Sequence, residues 1–190
     1  MGAPRGSLPG AAPIEVVLAR NDRAVVAVTK FGAYPEGFEF ELIVLVGDRE
    51  EELDPMVMGY MRHGRRGDRE EMLRFGMQFA DGSKVTNQPG SRPFPPGGGD
   101  GPPSGPVLQQ RGGGGGDGEW RQDYWVWPLP PPGPLTLACE WPGAGIPLRV
   151  VEVDAQPLIE AAGRAQQIFP ATGVAGGGIV QLVQVEAEED

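Results

Sequence analysis

From Phe38 to Val46 the chain reads FEFELIVLV, which sets Phe38, Phe40, Leu42, Val44 and Val46 on one side of an extended backbone. Glu39 and Glu41, then Ile43 and Leu45, take the other side. Apolar side chains at every second position cannot gather on one face of a helix, so this segment must be a strand with one side in a core. The alternation recurs in short pieces along the chain. Ile14, Val16 and Leu18 share a face of IEVVLAR, and AVVAVTKF is rich in β-branched residues. Leu73, Phe75, Met77 and Phe79 alternate with Arg74, Gly76 and Gln78, after which Asp81-Gly82 supplies a tight-turn pair before SKVT. VLQQ at 107–110, EWRQDYWVW at 119–127, LTLACEW at 135–141 and IPLRVVEV at 146–153 complete the set.

Short strands separated by turn signals, with no helices between them, predict a mainly β fold: an antiparallel β-sandwich. Immunoglobulin-like topology is the first choice and a jelly roll the second. One C-terminal helix is expected over 154–169. Asp154 stands at its start, Pro157 in its first turn, Ala155, Leu158, Ile159, Ala162, Gln166 and Phe169 along one face, and Pro170 after it.

The 31 Gly and 21 Pro cluster, so the packed part is shorter than 190 residues. Residues 1–13 are expected to be a flexible arm, 14–169 the sandwich with its helix, and 170–190 a flexible acidic tail. Within the sandwich lie a charged, methionine-rich insertion at 47–71 and a disordered loop at 88–118 that ends in the run Gly112 to Gly116.

Charge and cysteine count exclude several classes. With 16 basic against 26 acidic residues, the net charge of -10 repels a polyanion, so no nucleic acid partner is expected. Cys139 is the one cysteine, which rules out an intrachain disulfide and favours a cytoplasmic setting. The start of the chain carries no apolar stretch of signal-peptide length, and Gly6 stands where a myristoylation pattern needs Ser or Thr. The longest apolar run, LIVLV at 42–46, is far below membrane-spanning length, so no membrane partner is expected.

Few residues offer chemistry. RGGGGGDGEW lacks the Gly-Lys-Ser/Thr and the following helix that a phosphate-cradling loop requires, and it reads as linker. His63 is the one histidine and lies in a cationic, glycine-rich insertion; Cys139 alternates with Leu135, Leu137 and Trp141 and reads as a small buried hydrophobe. No catalytic constellation and no cofactor are expected. Met56, Met58, Met61 and His63 are soft donors that a Cu(I) ion accepts, whereas one Cys and one His cannot make the usual zinc set.

The aromatic block is the remaining candidate. Trp120, Gln122, Tyr124 and Val126 share one face of EWRQDYWVW, and Arg121, Asp123, Trp125 and Trp127 share the other. A sandwich buries only one of these faces between its sheets. Either the C-terminal helix covers the second, which is the favoured expectation, or a protein partner does, with Arg121, Asp123, Trp125 and Trp127 as the contact residues.

Over FGMQFADGSKVTN, the block from RGGGGGDGEW to PGAGIPL, and DAQPLIEAAGRAQQIF, the chain resembles uncharacterised hypothetical proteins of high-GC Gram-positive bacteria. The resemblance covers most of residues 14–169 and implies a bacterial cytoplasmic setting, with no activity attached. The expected role is a non-catalytic protein-binding or accessory domain, working through a protein partner or self-association. The alternatives are a small-molecule or Cu(I)-binding sandwich and a hydrolase of undetected type.

Overall fold

The β4–β5 hairpin is the centre of the molecule, and its long, regular pairing follows from the alternation at 38–46. β4 (Ala24–Tyr34) and β5 (Gly37–Val46) meet across the two-residue turn Pro35-Glu36, with Tyr34 opposite Gly37. The computed structural model describes residues 2–47, 71–88, 103 and 105–170. Before this hairpin come β1 (Ser7–Leu8), β2 (Gly10–Ala11) and β3 (Val16–Arg20). After it come β6 (Arg74–Gln78), β7 (Lys84–Thr86), β8 (Val107–Gly116), β9 (Glu119–Trp127), β10 (Pro134–Trp141) and β11 (Ile146–Asp154). Helix α1 (Gln156–Ala162) and β12 (Gln166–Gln167) close the described chain.

Every strand pairing is antiparallel. The larger sheet runs β2-β4-β5-β9-β8, with β3 continuing beside β4 where β2 leaves off. The smaller runs β11-β10-β6-β7. Their apolar faces meet as an antiparallel sandwich, as the sequence predicts. Phe31, Phe40 and Tyr124 from the larger sheet and Phe75 from the smaller form a continuous ring cluster, with successive centroids 5.4, 5.3 and 6.3 Å apart. Around it Val26, Leu42, Leu135 and Leu137 are fully buried, each contributing about 1.5–3 kcal/mol of apolar burial.

The helix is shorter than its periodicity suggests. It ends at Ala162, Gly163 follows as its C-cap, and Gln166–Gln167 pair with Leu8 and Ser7 as strand, so Gln166 and Phe169 do not lie on a helix face. Asp154 does serve the start, its Oδ1 accepting a hydrogen bond from the Gln156 N–H at 2.9 Å. Buried Ala155, Leu158, Ala161 and Ala162 seat the helix against β4, β2 and β5 and extend the core.

Nor are residues 2–13 a flexible arm. β1 pairs with β12, β2 pairs with β4, and the Gly6 carbonyl accepts hydrogen bonds from Ile168 and Phe169. Gly10 meets the Ala161 carbonyl so closely that a Cβ would collide with it, so glycine is what lets this segment pack against the helix. The third correction concerns the loop placed at 88–118. Residues 107–116 form a strand along the whole of β9, closed by an Asp117-Gly118 turn with φ of 54° and 77°. Both positive angles mark the hairpin turn whose twist matches its strands. Residues 89–102 and 104 of that loop, the insertion at 48–70 and the tail at 171–190 lie outside the described residues.

Candidate binding surface

Cross-strand register sorts the outer face of the larger sheet into rows. Gly32, Glu39, Trp125 and Gln109 make one, and Thr29, Glu41, Asp123 and Gly112 the next. Beyond them lie Ala27, Ile43, Arg121 and Gly114, then Val25, Leu45, Glu119 and Gly116. Arg121, Asp123, Trp125 and Trp127 do share this face, as their spacing requires.

Trp125 is nevertheless 1% exposed. Its indole meets Tyr34 edge-on at a centroid distance of 5.7 Å, and its ring fills the space where a Cβ on Gly37 would stand. The N-terminal segment crosses this end of the face, with Gly2 against the Arg111 guanidinium and Pro9 over Gly32. The helix, seated on β4, β2 and β5, is not the cover that the sequence favours. Trp125 Nε1 is buried without a hydrogen-bond partner among the described residues.

Beside it, burial pushes the Tyr34 hydroxyl up to about 12, with the negative Glu39 carboxylate that accepts its hydrogen bond adding to the effect. Glu39 is itself raised, chiefly by burial and further by Asp123, against the opposing pull of the Tyr34 hydrogen bond and the Arg111 charge. Sequence reasoning missed this Tyr34–Glu39–Arg111 group. It joins three strands, and no spacing along the chain signals it.

In the following rows Glu41 is almost wholly covered and holds Lys30 Nζ at 3.0 Å and Arg121 Nη1 at 2.6 Å. Arg121 Nε also pairs with Glu119. The guanidinium is thus bound within its own sheet. Asp123 is exposed, and Trp127, half-buried, ends β9 at a cis peptide bond to Pro128.

On the opposite side of β9, Gln122 is buried and satisfied: it accepts from Gln110 Nε2 at 2.6 Å and donates to the Gly112 and Asp123 carbonyls. Trp120 and Tyr124 lie in the core with it. Cys139 is buried between the sheets, and desolvation pushes its thiol up to about 11, which disfavours the thiolate a nucleophile needs. Met56, Met58, Met61 and His63 lie outside the described residues; among those described, no three His, Cys, Asp or Glu side chains are grouped to hold a metal.

The edge formed by β8 is the most open part of this surface. From Gln109 to Gly116 each residue is exposed, and no described strand pairs on its other side. The fold defines a class, the antiparallel β-sandwich, and a surface centred on a bare sheet edge. No family model, curated protein or solved structure matches the chain. Among the described residues no helix is long and apolar enough to cross a membrane.

Proposed function

We propose that this chain is a non-catalytic protein-binding domain, bacterial and cytoplasmic, that takes up its partner by strand addition at β8. The observation that carries this reading is the edge itself, ten residues long and without side chains from Gly112 to Gly116. An unpaired edge offers a row of amide donors and carbonyl acceptors to any extended chain, and natural sheets usually blunt such edges. The other edges here are blunted. Pro13 lies in the break between β2 and β3, β7 has three residues, and β11 carries Pro147 and packs beside β3. Burial of Cys139 also favours a binding role over chemistry.

A display library of random ten-residue peptides, selected on the immobilised protein, tests the reading. Selected peptides are expected to slow amide hydrogen exchange along 107–116 in the complex. Peptides that protect some other surface, or a selection that yields no binder, overturn it.

A further inference from the structure

The glycines of β8 differ in what surrounds them, and the pattern separates those the fold demands from those it does not. A Cβ on Gly113 would lie 2.6 Å from the Arg121 carbonyl oxygen and 2.7 Å from Gln122 Oε1, and one on Gly115 would collide with the Glu119 carbonyl oxygen and lie 2.8 Å from Trp120 Cδ2. These two positions are bare because the backbone of β9, and the inward side chains of Gln122 and Trp120 beside it, crowd them. On the outer face, a Cβ on Gly114 or Gly116 meets nothing within 4 Å. The packing of the described chain does not ask for glycine there. Bare backbone at both positions instead leaves a gap of two strand spacings, about 9.6 Å, between β9's outward side chains and those of any strand added beyond β8.

The charges bordering this gap are unequal: Gly112, Gly114 and Gly116 lie opposite Asp123, Arg121 and Glu119, and the one cation of β8 itself, Arg111, acts on Glu39 and lies against Gly2. Arg121, the outward cation of β9, is held by Glu41 and Glu119. Asp123 has no cationic partner among the described residues, and its Oδ2 leans over Gly112, 3.3 Å from where a Cβ would be. Asp117 stands at the hairpin tip beside the same edge. The chain as a whole carries -10.

We infer that the segment received at β8 is an extended basic peptide, with Lys or Arg at alternate positions, one of whose side chains crosses Gly112 to reach Asp123. The inference rests on the proposed use of the β8 edge and adds the chemistry of its occupant. Long side chains with apolar stems suit a strip of exposed backbone, and opposite charge both steers the encounter and fixes the register. An acidic segment would place like charges together.

The test uses the full chain with three capped peptides, Thr-Lys-Val-Lys-Val-Lys-Thr and its glutamate and serine counterparts, read by calorimetry and by hydrogen exchange over 107–116. The lysine peptide is expected to bind roughly tenfold more tightly than the glutamate peptide, with the advantage shrinking as salt rises. Asp123→Asn should weaken the lysine peptide about two- to fivefold, and Asp123→Lys should reverse the preference. Asp123 is exposed, so both variants are expected to melt like the parent chain, which the same samples show. Equal affinity for all three peptides with protection of β8 overturns the basic preference and leaves strand addition standing. Absence of protection at β8 with every peptide overturns both, and a light-scattering dimer whose own β8 is protected assigns the edge to a second copy and overturns the peptide.

Discussion

The indole of Trp120 lies across the backbone of Gly115, with Cδ2 2.8 Å from the place a Cβ would take. A strand of glycines is entropically poor on its own, and here Gln122 and Trp120 of its neighbour cover Gly113 and Gly115. The contrast with Gly114, whose outer side is empty, makes the relationship measurable. Gly115→Ala should destabilise the fold by about 2 kcal/mol or more, because backbone and ring must both shift. Gly114→Ala should be neutral or stabilising by up to about 1 kcal/mol, since it restricts the unfolded chain without a clash. Urea unfolding of the two variants decides the matter, and equal costs would refute this account of β8.

Folding raises the pKa of Glu39, so the folded chain binds that proton more tightly than the unfolded chain does. Stability from this group is therefore full below the unfolded carboxyl value of about 4.3 and is lost as pH rises through the folded value. Glu39→Gln keeps an acceptor for the Tyr34 hydroxyl and removes the ionisation. Its stability should fall less than that of the parent chain between about pH 4 and about pH 7. An unaltered slope in thermal melts across that range would exclude Glu39 as a source.

Tyr34 obeys the same sign at the alkaline end. Its hydroxyl, pushed up to about 12, contributes stability that is complete below the unfolded value of about 10 and lost on passing through the folded one. In an absorbance titration of phenolate, Tyr34→Phe should remove a late-ionising step.

Three of the four tryptophans, Trp120, Trp125 and Trp141, are buried, while Trp127 is half-buried. Iodide quenching of the native protein is expected to act mainly on Trp127. Trp127→Phe should abolish most of the quenchable fraction. Strong quenching that survives the substitution would mean that the outer-face cover of Trp125 opens in solution.

Cys139 is 1% exposed, with its thiol pushed up to about 11 by burial. A disulfide reagent at neutral pH should leave it untouched in the native chain and modify it fully in denaturant. Modification of the native protein within minutes would show that the seam between the sheets opens readily.

The sequence by itself determined which side chains of its most regularly alternating strands face the core, because alternation is local and each of these strands carries its own copy of it. Phe38 to Val44, Leu73 to Phe79, Trp120 to Val126 and Leu135 to Trp141 could all be sorted that way. The Gly112–Gly116 strand could not, for a strand without side chains has no alternation, and only the Asp117-Gly118 pair hinted at its turn. The helix was overextended because apolar spacing continues past Gly163 into residues that pair as strand with Ser7 and Leu8. Only the tertiary structure decided that the outer face of Trp125 is closed by Tyr34 and the N-terminal segment, and that Arg121 is tied up by Glu41 while Asp123 is left open. Those outcomes depend on which strands become neighbours, and neighbours in a sheet are chosen by the packing of the whole core, which no single stretch of chain encodes.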